Sequence, residues 1–487
     1  MGCLSKAKMR SPVPTVTAAR SPQRLRDLPG PRGLPLLGNA GQIDNQKMHR
    51  QLEDWSQRYG ERFQISLGTR RILVCSNPDD IAAVLKDRPS GFRRTTRLET
   101  LSSELGIGGL FSANGDEWRR QRTFVMHAFN PAHVKSYFPS LQLVATRFLR
   151  RWQQHALAGV PFELEPDLMR YTVDVTAGLA FGTDVNTIES DGVVIQTHLA
   201  TMFRMLQKRL FAPFRTWRWL RRREDRALVE SVKYVMAAVH GFIAAARQRM
   251  EHQPMLFAQP SNLLEAMIAA RDENAAALSE SALTGNILTM LLAGEDTTAH
   301  TLAWIIHELA RNPTLFAQVR TEADRVLGSD ALPQHHAQLG ELDFIEACIH
   351  ESMRLRPVAP MIGAEANAEC VVAGVTVPKG TVILMPVRVG AVAESNFKDP
   401  ICFDPQRWLQ PSGPGNLRKA AMPFGTGPRL CPGRFLAIEE MKMVIALLAR
   451  NFDLEAITTP DGLPVQERLN FTMAPVGLQL TLRARPQ

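Results

Sequence analysis

No stretch of this chain approaches 18 consecutive apolar residues, and the first 40 residues hold no apolar run long enough for a secretory signal. A transmembrane anchor is therefore not expected. The six cysteines (Cys3, Cys75, Cys348, Cys370, Cys402, Cys431) are widely and irregularly spaced, with no Cys-x-x-Cys pair. That indicates neither a zinc site nor a disulfide framework and suits a reducing compartment. Internal repeats and long low-complexity segments are also missing. No acid precedes Asp27, whereas Lys6, Lys8, Arg10, Arg20, Arg24 and Arg26 do, so residues 1–27 read as a basic leader. Outside it the net charge of +9 leaves only a mildly basic body. Nucleic acid is not an expected partner; a basic patch of this size suits an acidic protein. The expected setting is soluble and cytoplasmic, or mitochondrial if the Arg- and Ser-rich leader is a transit peptide. Met1 to Ser5 nearly fits a myristoylation signal, but Lys6 stands where Ser or Thr is needed.

What the chain does have is an ordinary globular composition, 45% hydrophobic and 22% charged. The turn-rich segment Leu28 to Pro35 opens a folded body over 28–487. A helical pattern covers Met48 to Tyr59. Arg62 to Ser66 and Arg71 to Cys75 read as a hairpin across Gly68-Thr69. Val371-Val372 against Thr381 to Leu384, turning at Pro378-Lys379-Gly380, reads as a second, and Leu478 to Leu482 as a closing strand. Between about 80 and 355 the pattern is helical. The expected fold is one large, mainly α domain with a small β region drawn from both ends of the sequence.

The most informative run is Phe424-Gly425-Thr426-Gly427-Pro428-Arg429-Leu430-Cys431-Pro432-Gly433, followed by an amphipathic stretch from Arg434 to Arg450. It places one thiol on a tight loop that opens onto a helix N-terminus, where backbone N–H groups and the dipole favour a thiolate. Such a thiolate suits the axial position of a haem iron, with Arg429 facing a propionate. A buried structural cysteine would explain neither the glycines nor the arginine.

A second signal is Ala293-Gly294-Glu295-Asp296-Thr297-Thr298, in a helix running from the N-cap Ser279 to Asn312-Pro313. That helix is about 50 Å long. Gly294 and Thr297 share a face. Glycine would let a flat cofactor and dioxygen approach, the hydroxyl could hold a water, and Asp296 could relay protons. The alternative for Thr297 is a bond back to its own helix carbonyl. Glu351 and Arg354 share a helix face at i,i+3, as do Trp118 and Arg122 at i,i+4. Arg215 to Arg223 interleaves Trp217 and Trp219 with arginines and reads as a solvated face, with Glu224, Asp225 and Glu230 as its partners. His335-His336 reads as surface.

The ten-residue run fits Phe-x-x-Gly-x-Arg-x-Cys-x-Gly without departure, and the chain resembles the cytochrome P-450 (haem-thiolate monooxygenase) family over roughly 28–485. The resemblance implies the cytochrome P-450 fold and haem b held by Cys431, with Phe424, Gly425, Gly433, Ala293 and Gly294 around it. Trp118, Arg122 and Arg429 would hold the propionates. It implies Asp296 and Thr297 as the catalytic acid–alcohol pair, and a structural network of Glu351, Arg354 and Arg407. The implied activity inserts one atom of dioxygen into a small hydrophobic substrate by hydroxylation or epoxidation. Cys431 lies too near the end for a reductase domain to follow it. Electrons are thus expected from a separate ferredoxin- or flavodoxin-type donor, docking near Arg119, Arg120, Arg418 and Lys419. The alternatives are a peroxide-driven peroxygenase, which would usually lack the Asp296-Thr297 pair, and a non-enzymatic haem sensor. The implied substrate pocket draws on Leu98 to Leu110, Thr201 to Pro213, Ala293, Pro360 to Gly363 and Phe471 to Met473. One departure stands out: Met361 to Ala366 offers no cation where many relatives place a propionate arginine.

Overall fold

Apolar residues at helical spacing dominate the middle of the chain, and 58% of the protein is helical. The computed structural model describes residues 22–129, 135–190, 195–219, 222–273, 279–409 and 419–486. Its axis is the 32-residue helix Glu280–Arg311. The Ser279 hydroxyl starts it by accepting the Ala282 N–H at 3.2 Å. Pro313, which cannot continue the hydrogen-bond ladder, opens the next helix, Pro313–Leu327. The long helix is buried on every side over the run Leu302, Ala303, Trp304, Ile305 and Ile306, all of them fully buried. Burying each larger apolar side chain stabilises by roughly 1.5–3 kcal/mol. The helix packs chiefly against Leu164–Phe181, and also against Asp343–Leu355, Arg434–Asn451 and the strand Thr472–Pro475.

The β region is a five-stranded sheet in the order Arg62–Leu67, Arg70–Cys75, Val382–Pro386, Met361–Ala366, Phe92–Arg93. The first pair is the expected hairpin, with Arg62 opposite Cys75. The second expected hairpin is different. Cys370–Val372 pairs with Val375–Val377 across Ala373-Gly374, where both φ angles are positive (51° and 74°). That is the handedness a two-residue hairpin turn requires. Thr381 to Leu384 instead belongs to the five-stranded sheet, beside Met361–Ala366 and parallel to Arg70–Cys75. Gln479–Ala484 closes the chain antiparallel to Phe452–Thr458.

Most of the expected leader lies outside the described residues. Its last part does not lie apart from the fold: Gln23 and Arg24 pair in parallel with Val375 and Thr376, and Leu25 is buried. The helix Arg223–His252 is long and apolar enough, by length and composition, to cross a membrane. Here it packs against Ile195–Phe211 and the long helix.

Candidate active site

A cavity of about 1830 Å³ gathers the residues that the motifs separated in sequence. Cys431, Gly433, Phe424, Gly425 and Arg429 line it together with Trp118, Arg122, Ala293, Gly294 and Thr297. Sites for one small ligand usually enclose about 300–1,000 Å³, so this one has room for a planar group and a substrate together. Leu98, Ile107, Leu206, Phe211, Ile362 and Phe471 supply apolar wall, as expected. Met473 does not; it is fully buried, with its N–H on the Val358 carbonyl at 2.8 Å.

The cysteine loop is held shut by the Cys431 N–H, which donates to the Phe424 carbonyl at 3.1 Å. Gly427 has φ +73°, and a Cβ there would lie 2.5 Å from the Leu85 carbonyl oxygen. Only glycine fits both demands. Gly433 caps the helix Arg434–Asn451. The expectation of a spontaneously ionised thiol is not met. Burial pushes the Cys431 thiol up; the Gly433 N–H, Arg122 and Arg434 pull the other way without prevailing. Free of metal, Cys431 keeps its proton, and coordination would remove it.

The same cavity wall carries a group of cations. Arg429 lies over the Trp118 ring at 4.6 Å and donates to the Ala113 carbonyl at 2.7 Å. Arg122 donates to the Leu430 carbonyl at 2.6 Å. Two further arginines join them that the motifs did not reveal. Arg94 donates to the Phe111 carbonyl at 3.1 Å. Arg88 is 4% exposed, and among the described residues its Nε and Nη1 have no partner. Burial, with Arg94 and Arg429 beside it, pushes Arg88 down to about 8. Burial, with Arg94 and Arg122, pushes Arg429 down to about 9. Among the described residues none of these four guanidinium groups has an ion-pair partner. Like charges crowded in a half-buried wall call for an anion from outside the chain. The two carboxylates of a haem fit that demand, and Arg88 and Arg94 are cations on this wall where Met361 to Ala366 offers none. In that strand Glu365 is engaged instead with the Thr96 N–H at 2.8 Å.

On the long helix the polar group is arranged differently from expectation. A Cβ on Gly294 would fall 2.5 Å from Thr176 Oγ1, so this glycine admits the crossing helix Leu164–Phe181 as well as lining the cavity. The Thr297 hydroxyl donates to the Ala293 carbonyl at 2.6 Å, the back-bonded arrangement. Asp296 does not line the cavity. It is 4% exposed, and its Oδ2 accepts from the Thr472 hydroxyl at 3.3 Å. Glu295 is buried with neither oxygen partnered among the described residues, and burial beside Asp296 pushes it well up. It therefore holds its proton far more readily than a surface glutamate.

Glu351, Arg354 and Arg407 do meet. Arg354 donates to both Glu351 oxygens at 2.8 and 2.7 Å, and Arg407 Nε to Oε1 at 3.2 Å. Trp408 Nε1 adds a bond to Oε2 at 2.9 Å. A second buried hub has no motif at all. The Glu467 carboxylate accepts from Arg388 at 2.8 and 3.0 Å, from Arg50 at 2.8 Å, and from Arg356, with His49 at 3.0 Å.

The Arg215 to Arg223 run is only partly a solvated face. Trp217 is packed between Arg97 and Arg209, while Trp219 is 82% exposed. Glu224 pairs with Lys208 and Asp225 with Arg209; Asp225 also accepts the Arg222 backbone N–H at 3.0 Å, and Arg218 pairs with Glu104. Of the expected docking residues, Arg119 is paired with Asp116 and Lys419 with Asp79, Arg120 is exposed, and Arg418 lies outside the described residues.

A sequence profile described as Cytochrome P450 matches residues 28–482. Among similar proteins, "Cytochrome P450 302a1, mitochondrial" of Drosophila melanogaster is 28% identical, covering 94% of this chain and 95% of the relative. "1,25-dihydroxyvitamin D(3) 24-hydroxylase, mitochondrial" of Rattus norvegicus is 26% identical, covering 99% and 93%. "Protein LUTEIN DEFICIENT 5, chloroplastic" of Arabidopsis thaliana is 26% identical, covering 88% and 72%.

Proposed function

The chain belongs to the cytochrome P450 family, a monooxygenase binding haem b through a cysteine thiolate, and we propose that Cys431 is that cysteine and that Arg88, Arg94, Arg122, Arg429 and Trp118 hold the propionates. When bound, the haem activates dioxygen with electrons from a redox partner and places one oxygen atom on a hydrophobic substrate. The remaining work falls to side chains. The Thr297 proton is committed to the Ala293 carbonyl, so its oxygen offers only lone pairs to the cavity. It accepts and orients a hydrogen-bond donor there. Asp296, one residue earlier, is the acid of the pair. Burial raises it, as does Glu165, while His300 and Thr472 act against that. It thus holds a proton more readily than a surface aspartate. Apolar wall from Leu98 to Leu110, Leu206, Phe211 and Ile362 keeps water out and suits a hydrophobic substrate.

The observation that carries this reading is the set of four guanidinium groups, without an ion-pair partner among the described residues, in the same cavity as Cys431. We propose a single-electron donor of ferredoxin or flavodoxin type as the partner. The mitochondrial names of two relatives support a mitochondrial setting as much as a cytoplasmic one. The test is the absorption spectrum of the dithionite-reduced carbon monoxide complex. The long-wavelength Soret band of thiolate ligation is expected. Cys431→His should replace it with the band of imidazole ligation. Retention of the thiolate band in that variant would overturn the assignment.

A further inference from the structure

We propose that Glu165, His300 and Thr472 form a proton-supply line from solvent to Asp296. The inference rests on the reading of Asp296 as the acid of the reaction. His300 lies on the long helix one turn after Asp296, and Glu165 starts the crossing helix Leu164–Phe181. Thr472 comes from the strand Thr472–Pro475 and lines the cavity. Three elements thus meet at one buried imidazole. His300 Nε2 lies 3.1 Å from Glu165 Oε1, and His300 Nδ1 lies 3.1 Å from Thr472 Oγ1. Thr472 Oγ1 in turn lies 3.3 Å from Asp296 Oδ2. The side chains are graded in exposure, with Glu165 24% and His300 6% accessible.

The donor–acceptor arithmetic fixes the protonation. With Asp296 ionised, the one Thr472 proton goes to Oδ2, so His300 Nδ1 donates to Thr472. A Glu165 carboxylate at Nε2 needs a second N–H. With Asp296 ionised, all three bonds coexist with the imidazole doubly protonated or with that one proton moved across to Glu165. With Asp296 protonated at Oδ2 they run the other way, from Asp296 through Thr472 and a neutral imidazole to a Glu165 carboxylate. The same heavy-atom positions serve all three states. Starting with Asp296 ionised and the shared proton on Glu165, Thr472 hands its proton to Oδ2, His300 Nδ1 hands one to Thr472, and Glu165 hands one to Nε2 and regains one from water. Once Asp296 has given its proton up, the imidazole turns over to bring its remaining N–H to Thr472 before the next transfer. No electron moves and no group is consumed.

The surrounding charges agree. Burial opposes the charge on His300, but Glu165 and Asp296 outweigh it and raise His300, with Arg468 acting against them. Burial likewise opposes the Glu165 charge, yet His300 and Arg468 hold it below the ordinary carboxylate range.

The experiment compares Glu165→Gln, His300→Gln, Thr472→Val, Thr472→Ser and Asp296→Asn as haem-loaded enzymes with a common reductase system. The reduced carbon monoxide spectrum serves as the check that the site is intact. Product formation should fall of order 10- to 100-fold in Glu165→Gln, His300→Gln and Thr472→Val, with KM unchanged and a larger solvent isotope effect. Thr472→Ser should restore it. A readout independent of turnover is the imidazole carbon resonance of His300 in the diamagnetic ferrous carbon monoxide complex. It should stay protonated well above the ordinary histidine value of about 6.5, and Glu165→Gln should lower that point. Wild-type turnover in His300→Gln and Thr472→Val beside a slow Asp296→Asn would overturn the line and leave Asp296 standing. Unimpaired Asp296→Asn would overturn both. A defect in Thr472→Val that serine does not repair would reduce Thr472 to packing and overturn the line as well. Should His300→Gln fail to fold, the Glu165 and Thr472 variants decide between the same outcomes.

Discussion

Arg88 carries a charge in a place where, among the described residues, no anion answers it. Its effects with and without haem should therefore have opposite signs. Arg88→Leu should stabilise the haem-free protein, on the order of 1–3 kcal/mol, by removing an unpaired buried cation. The same variant should hold haem more weakly. Denaturant titration of both forms, with haem transfer to an acceptor protein, checks the pair of signs. Cys431 makes a second case. Its raised thiol means little thiolate at neutral pH, so the haem-free protein should alkylate more slowly at Cys431 than at the exposed Cys402. Raising the pH should narrow the gap, as mass spectrometry of labelled peptides would show. At this scale the sequence was unevenly readable. The glycines around Cys431 meet position-specific demands and so form a motif. Arg88 and Arg94 are lone cations in loops, and only the folded chain reveals that they face the same wall.

Among elements, the cysteine loop is positioned by its contact with the helix Pro78–Lys86. Gly427→Ala puts a methyl against the Leu85 carbonyl at a φ that alanine resists. The loop should shift and haem content fall sharply, measured as the Soret-to-protein absorbance ratio. Glu351→Ala strands Arg354 and Arg407 and leaves the Trp408 N–H without its acceptor. A cost of about 3–5 kcal/mol is expected for breaking such a buried set, with failure to retain haem. The long helix and first hairpin were legible because capping serine, proline stop and alternating apolar residues agree. The second hairpin was not. Its turn uses alanine at positive φ, whereas Pro378-Lys379-Gly380 carries the stronger turn signature.

For the molecule as a whole, the Glu467 hub is the feature that sequence could not disclose, since its partners lie as far away as His49. Burial opposes its charge, but His49, Arg388 and Arg50 hold Glu467 far below the ordinary glutamate value. A depressed folded value means that its stabilisation is complete above about 4.3 and is lost as pH falls towards the folded value. The stability gap between wild type and Glu467→Gln should therefore shrink on acidification below about pH 4. Denaturant unfolding at a series of pH values would show it. The partner surface is also a property of the whole. If the exposed Arg120 contributes to docking, Arg120→Glu should slow reduction by an acidic donor, and rising salt should shrink the difference.

Glu467 is also synthesised after every one of its partners, and after Cys431. Arg388 can meet Glu53, and Arg356 Glu308, before it exists, but the carboxylate that joins them to Arg50 and His49 comes last. The two ends of the sequence are therefore tied at this hub only once residue 467 has been made, so the region around His49 and Arg50 gains its last anchor at the very end of synthesis.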